Sequence, residues 1–253
     1  MISLRALAAV TAVVAIAFTA SCASPAAGQP TARKPAHRST SAPASHSHHA
    51  KTDLVLRHST RLPRFSASVS GPLTRKDVPF SWHRGCPVPP SQLRAIHMRY
   101  VGFDHRAHLG KLIVNASVVR KVIKVFAILY RQRFPIRSMK PVDAYHGSDP
   151  RSMAADNTSG FNCRRAVASG PPAWSMHAFG LAIDVNTVQN PYVESPTNVQ
   201  PKAGRAYLNR SDHRPGMAYP GGILLKAFYS IGWGWGGNFS GTPDYQHFSS
   251  NGQ

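Results

Sequence analysis

The sequence predicts an α+β domain over residues 77–253, preceded by an export signal and a polar tether. Three observations carry this. Short apolar segments of helical and strand period are mixed without a βαβ rhythm, the first 22 residues have the charge order of a signal peptide, and the next fifty are poor in large apolar side chains.

Taken in order, Arg5 supplies a positive start, and Ala6–Ala20 is an apolar run interrupted only by Thr11 and Thr19. The run is short for a transmembrane helix and is followed by small residues, so residues 1–22 are expected to be a signal peptide. Thr19-Ala20-Ser21-Cys22 resembles a lipoprotein signal, with Cys22 as the lipidated first mature residue and simple secretion as the alternative. Setting Cys22 aside leaves Cys86 and Cys163, an even pair that an oxidising compartment would join as a disulfide; two buried free thiols are the alternative.

Residues 23–76 are rich in Ala, Ser, Pro, His and basic side chains. Such a composition buries too little apolar surface to offset its ordering entropy, so a disordered tether is expected, with His46, His48 and His49 as solvated side chains and weak metal binding by them as the alternative. From Asp77 onward the chain reads as folded. Pro79-Phe80-Ser81-Trp82 and Cys86-Pro87-Val88-Pro89 suggest an extended, pinned leading segment. Lys111–Val114 reads as a strand. Ser117 offers an N-cap for a helix to about Arg133, with Val118, Val119, Val122, Ile123, Phe126, Leu129 and Tyr130 on one face and Pro135 beyond its end. A second helix is expected over Gly222–Ile231, and strands over Leu181–Val185 and Tyr245–Phe248.

Thirty Lys and Arg against ten acids give a net charge of +20. Such a surface attracts polyanions, and in an exported chain the accessible ones are anionic wall polymers and lipid headgroups rather than nucleic acid. The acids, nine Asp and Glu194, are few enough that a carboxylate inside a metal-like pattern stands out. Two segments hold such patterns: Ser175-Met176-His177-Ala178-Phe179-Gly180-Leu181-Ala182-Ile183-Asp184, and Asp244-Tyr245-Gln246-His247-Phe248. A catalytic zinc site uses three protein ligands and leaves one position open. His177, Asp184 and His247 supply that set, Gly180 lets the chain turn between the first two, and strand alternation puts small Ala182 on the side of Asp184. Asp244 is placed to act as general base or as a support behind the ligands.

The pattern S-x-H-x-x-G-x-A-x-D followed by D-x-x-H resembles the zinc D-Ala-D-Ala carboxypeptidases of the VanY type and the related L-alanyl-D-glutamate endopeptidases. The likeness extends upstream to Ser152-Met153-Ala154-Ala155-Asp156-Asn157-Thr158-Ser159-Gly160-Phe161-Asn162-Cys163-Arg164. It implies a single domain of the Hedgehog/DD-peptidase type, an antiparallel sheet with flanking helices. It further implies Zn2+ on His177, Asp184 and His247, Asp244 as catalytic base, Ser175 in contact with substrate, and peptidoglycan stem peptide as the partner of a monomeric enzyme. Arg164 is the candidate for stabilising an oxyanion, with a surface arginine as the alternative. The carboxypeptidases usually carry Glu at the position of Asp244, whereas the endopeptidase branch often carries Asp. A non-catalytic module of the same fold that binds wall peptide is the competing class. Trp233 and Trp235 are expected either to line the substrate groove or to pack in the core, with core packing of at least one favoured.

Overall fold

The computed structural model describes residues 61–167 and 172–252. The expected signal peptide, Cys22 and the tether as far as residue 60 lie outside the described residues. Residues 61–76, assigned by composition to the tether, are folded: strand β1 (Ala67–Ser70) pairs antiparallel with β2 (Leu93–Val101). The Tyr130 hydroxyl donates to the Pro63 carbonyl at 2.7 Å, and Phe65 packs against the Tyr130 ring. Composition misjudged this stretch because β1 is exposed along its whole length and is held by ladder hydrogen bonds rather than by apolar burial.

The main sheet is the antiparallel set β1-β2-β3, where β3 (Ala107–Asn115) pairs with β2 from Leu93↔Asn115 to Val101↔Ala107. The expected strand at Lys111–Val114 is thus the C-terminal half of β3. Alternation splits the sheet between two cores. Ile96, Met98, Tyr100, Leu112 and Val114 join the larger core with the first helix, while Leu93, Ala95 and Ile113 face a smaller one containing Leu73, Val78, Val88 and Phe161.

Helix α1 (Val119–Arg131) buries Val122, Val125, Phe126, Leu129 and Tyr130, each large apolar side chain contributing about 1.5–3 kcal/mol on burial. The cap is not Ser117. Asn115 accepts from the Ser117 amide at 3.0 Å and from its hydroxyl at 2.8 Å, opening a 3₁₀ turn at Ala116–Val118 that feeds the helix. An Asn at the strand end does this because its short side chain reaches the amide two residues on. The helix stops at Arg131, and Arg133 takes a left-handed φ of 54° before Pro135.

Then follow β4 (Ser138–Met139), α2 (Asp149–Ala154) and β5 (Asn157–Thr158), β4 and β5 pairing in parallel. After them come β6 (Ala182–Asp184), the hairpin β7 (Tyr192–Val193) with β8 (Val199–Gln200), α3 (Ile223–Tyr229), β9 (Gly234–Trp235) and β10 (His247–Ser249). The second three-stranded sheet has the order β6-β10-β9, both pairs antiparallel. The architecture is α+β, as expected. Trp233 and Trp235 are both buried in the larger core, and Trp235 Nε1 donates to the Tyr245 carbonyl at 2.9 Å.

The leading segment is pinned but not extended. Residues 78–86 form turns, with the Trp82 amide donating back to the Val78 carbonyl, so the proline-rich spelling marks turns rather than a strand. Asp143 Oδ1 accepts from the amides of Phe80 (2.9 Å) and Ser81 (3.0 Å), and its Oδ2 accepts from the Ser81 hydroxyl. Cys86 and Cys163 form a disulfide across 77 residues of chain. Closing a loop of that length constrains the unfolded chain by about 4 kcal/mol, so a Cys86→Ser/Cys163→Ser variant is expected to lose about that much stability in urea titration, with the native fold retained at low denaturant. A loss below ~1 kcal/mol would show that the bridge spans a region already ordered in the unfolded ensemble.

Candidate metal centre

His177 sits in a single 3₁₀ turn, Met176–Phe179. Ser175 caps it, its hydroxyl accepting from the His177 amide at 3.3 Å, and the serine is almost wholly enclosed. Gly180 ends the turn at φ 69°, a conformation that glycine adopts without strain. A Cβ there would lie 2.6 Å from the Asn115 amide nitrogen, and that amide donates to the Gly180 carbonyl at 2.9 Å. The end of β3 therefore docks the histidine turn, with Asn115 Nδ2 also donating to the Phe179 carbonyl.

Asp184 ends β6, and His247 opens β10 directly opposite it in the antiparallel register. On its other side Asp184 exchanges backbone hydrogen bonds with Ser159 at 2.9 and 3.0 Å. Phe248, alternating with His247, is buried and stacks on Phe228 of α3 at 4.1 Å between ring centroids. The aromatic pair thus fixes which face of β10 carries the histidine.

These elements bring the three expected ligands together. His177 Nε2 lies 3.1 Å from Asp184 Oδ1 and 3.1 Å from His247 Nδ1, and His247 Nδ1 lies 3.2 Å from Asp184 Oδ1. All three residues are buried. The spacing is close to the edge of a tetrahedron of ligands held about 2.0 Å from a zinc ion, roughly 3.3 Å. The far side of His177 fixes its tautomer. Nδ1 is 2.6 Å from the Gly160 carbonyl, which only accepts, so a neutral ring carries its proton on Nδ1 and turns the Nε2 lone pair towards the other two donors. A lone pair facing a carboxylate needs a cation between them, and the set fits zinc in donor type, number and burial. His83, Cys86 and Cys163 also cluster, but their sulfurs are joined as the disulfide.

Protonation shows the same demand for positive charge. Burial works against a charged His177, but the neighbouring Asp184 overcomes it, and its pKa is raised above the ordinary 6.5. Burial would likewise raise Asp184, yet His177 and then His247 hold it well below the carboxylate range. The depressed Asp184 stabilises the fold above the ordinary carboxylate pKa, and that contribution is lost as pH falls through its native value. The raised His177 stabilises below about pH 6.5 and loses its contribution as pH rises through its native value. Metal-free protein therefore weakens above about pH 6.5, where zinc, needing deprotonated ligands, binds best. The rise in melting temperature on adding zinc is expected to grow between pH 5 and pH 8. A gap that shrinks over that range, measured by differential scanning fluorimetry, would contradict this charge balance.

Asp244 begins the turn into β10: its amide donates to the Gly236 carbonyl at 2.9 Å, and its carbonyl accepts from the His247 amide at 3.2 Å. A Cβ at Gly236 would strike the Asp244 carbonyl oxygen at 2.6 Å, so glycine is what lets the turn close. Asp244 Oδ1 is enclosed and has no protein hydrogen-bond partner. Burial first, and the charge of Asp184 second, push this carboxyl up to about 7.

Arg164 is half-buried and ion-paired through Nε with Asp149, and its charge reaches His177 and Asp244. Asp149 also accepts from Asn162 Nδ2 at 2.7 Å, while the Asn162 amide donates to the His177 carbonyl. Of the residues singled out from sequence, His177, Asp184, His247, Asp244 and Arg164 are gathered here, and Ser175 adjoins them as a cap. Sequence reasoning missed Gly160, whose contribution is a backbone carbonyl, and Asp149, whose spelling is that of a helix N-terminus. It also missed Tyr192, which bridges Asp244 through the backbone and whose phenol is pushed up by burial and by the charges of Glu194 and Asp244.

Residues 169–250 match the family model for D-alanyl-D-alanine carboxypeptidases. The match supports a carboxypeptidase-like peptidase. It spans all three ligand positions and Asp244, and it leaves Gly160, Asn162 and Arg164 upstream. No curated protein and no solved structure matches the chain.

Proposed function

We propose that the protein is an exported zinc metallopeptidase of the Hedgehog/DD-peptidase fold that hydrolyses peptidoglycan stem peptides as a D-alanyl-D-alanine carboxypeptidase. The observation that carries the reading is the buried triangle of His177 Nε2, Asp184 Oδ1 and His247 Nδ1, together with an unpartnered Asp244 Oδ1 whose carboxyl feels the charges of Asp184 and His247. A zinc ion on the triangle would lower the pKa of water to about 7 and polarise a peptide carbonyl. Asp244 then takes a proton from the attacking water and delivers it to the leaving amine as the C–N bond breaks. Its enclosed carboxyl oxygen, without a protein hydrogen-bond partner, is free to accept that proton and return it. Arg164, held in place by Asp149, opposes negative charge developing on the scissile carbonyl oxygen. Ser175 and Gly160 orient His177 from behind.

Aspartate rather than glutamate at position 244 favours one second reading, an L-alanyl-D-glutamate endopeptidase. Zinc-loaded protein incubated with a defined pentapeptide stem, followed by mass spectrometry, separates the two. Loss of the terminal D-alanine alone is the expected result. Cleavage between the first two residues would assign the endopeptidase, and intact peptide would leave a wall-peptide binding module.

A further inference from the structure

Tyr192 opens β7, and its backbone faces Asp244 across an antiparallel bridge. The Val193 amide donates to the Pro243 carbonyl at 2.9 Å, and the Tyr245 amide to the Pro191 carbonyl at 3.2 Å. These two bonds flank the pair without joining it. Tyr192 and Asp244 are thus a non-hydrogen-bonded pair, the class in which opposed side chains share a face and come closest. The phenol is therefore carried on the face that presents the Asp244 carboxyl.

Its hydroxyl is unspent. Tyr192 is half-buried, and among the described residues nothing hydrogen-bonds to the phenol oxygen. Asp244 Oδ1, an acceptor on the same face, has no protein partner either. Two charges that the hydrolysis uses reach the phenol. Burial first, then Glu194 and Asp244, hold it above its ordinary 10, while Arg164 acts in the opposite sense. A phenol so placed keeps its proton across the neutral range and is a donor throughout. Arg164, by contrast, is partly committed: its Nε is paired with Asp149, and its Nη1 donates to the Arg165 carbonyl at 3.3 Å. Charge developing on a carbonyl oxygen is met best by several donors fixed before the reaction begins.

On the peptidase reading above, we propose that Tyr192 is a further catalytic residue, its hydroxyl donating a hydrogen bond to the scissile carbonyl oxygen as that oxygen becomes an oxyanion. Arg164 supplies charge to the same oxygen, and Tyr192 supplies a neutral donor. No proton leaves the phenol, since the proton of the attacking water passes to Asp244. The hydroxyl therefore favours the tetrahedral state over the bound substrate.

Packing of the short hairpin needs the ring and not the hydroxyl, so Tyr192→Phe separates the two roles. Zinc-loaded full chain and variant are compared on a pentapeptide stem. They are compared also on phosphinate analogues of its two candidate bonds, in which tetrahedral phosphorus with anionic oxygens replaces the carbonyl. The expected result is a fall in kcat of about 10²-fold with KM, zinc content and melting temperature held. Binding of the phosphinate that matches the cleaved bond, read by calorimetry, should weaken by a similar factor. Turnover and phosphinate affinity both within about twofold of wild type would overturn the role of Tyr192 and leave the peptidase reading standing. A raised KM with kcat unchanged would make the hydroxyl a contact of the ground state and overturn it too. Loss of zinc, or a melting temperature lowered by several degrees, would assign the hydroxyl to the fold instead. A wild type that neither cleaves the stem nor binds either phosphinate would refute the peptidase reading, and the role of Tyr192 with it.

Discussion

Replacing Asp244 with Asn is expected to lower kcat for stem-peptide hydrolysis by about 10³-fold while leaving KM and bound zinc nearly unchanged. Asn keeps the shape of the side chain and the backbone turn into His247, so the ligand triangle is undisturbed. What it removes is an acceptor for the proton of the attacking water. The same change should stabilise metal-free protein. Burial and the charge of Asp184 raise the Asp244 pKa from 3.8 to about 7, so ionising it costs the fold free energy. The sign follows from linkage: a carboxyl raised in the native state favours folding below its unfolded pKa and loses that advantage as pH climbs to the native value. At pH 8 the neutral Asn escapes this cost, and metal-free Asp244→Asn should be more stable by on the order of 2 kcal/mol. Zinc content by atomic absorption, steady-state kinetics and thermal melts of the chelated protein check the three parts. A variant that still turns over within tenfold of wild type would remove Asp244 from the chemistry. One that melts lower at pH 8 would remove the argument from buried charge. A residue whose loss stops turnover and strengthens the fold is kept for function at the expense of stability.

The meeting of His177 with Asp184 was legible in the sequence because the two lie within one short motif whose spacing is a turn followed by a strand. Gly180 marks the turn, and three residues of β6 then suffice to reach Asp184. His247 was legible from its companion Asp244, but its position opposite Asp184 follows from strand pairing between segments 63 residues apart, which local pattern does not encode. The α+β class and the faces of α1 and α3 followed from apolar period. Strand β2 was missed although Ile96, Met98 and Tyr100 alternate along it. Arg94, His97 and Arg99 interrupt the apolar signal, and the strand serves two cores at once. The supports behind the site were least legible. A carbonyl such as that of Gly160 has no residue code, and the ion pair of Asp149 with Arg164 joins a helix start to a loop fifteen residues on, which local pattern does not encode. The start of the fold was misplaced for a related reason: β1 contributes backbone hydrogen bonds and almost no apolar burial, and composition detects only the second.

Asp184→Ala is expected to weaken zinc binding by at least 10³-fold, more than the loss of any residue behind the ligands. Asp184 Oδ1 is the vertex common to both imidazoles, and it is the only negative charge within the triangle. Without it the remaining donors are two neutral rings, which hold a divalent cation with neither charge neutralisation nor a third bond. The backbone should survive, because Asp184 meets Ser159 through main-chain hydrogen bonds and pairs with β10 through the ladder. The metal-free protein supplies an independent reading. His177 has its raised pKa because Asp184 outweighs the burial that would lower it. Removing the carboxylate leaves burial and the charge of Arg164, opposed only by the smaller effect of Asp149, so the imidazole should titrate below its ordinary 6.5 instead of above it. The wild-type decline above about pH 6.5 that comes from a protonated His177 should vanish with it, and the metal-free variant should instead lose stability as pH falls below about 6.5 towards the lowered native value. Zinc affinity against a chromophoric chelator and the imidazole proton shifts in an NMR titration test the two parts separately. Zinc retained within tenfold of wild type would mean that another group completes the site. A His177 pKa still above 6.5 in the variant would mean that the Gly160 carbonyl, and not Asp184, sets the charge of that ring.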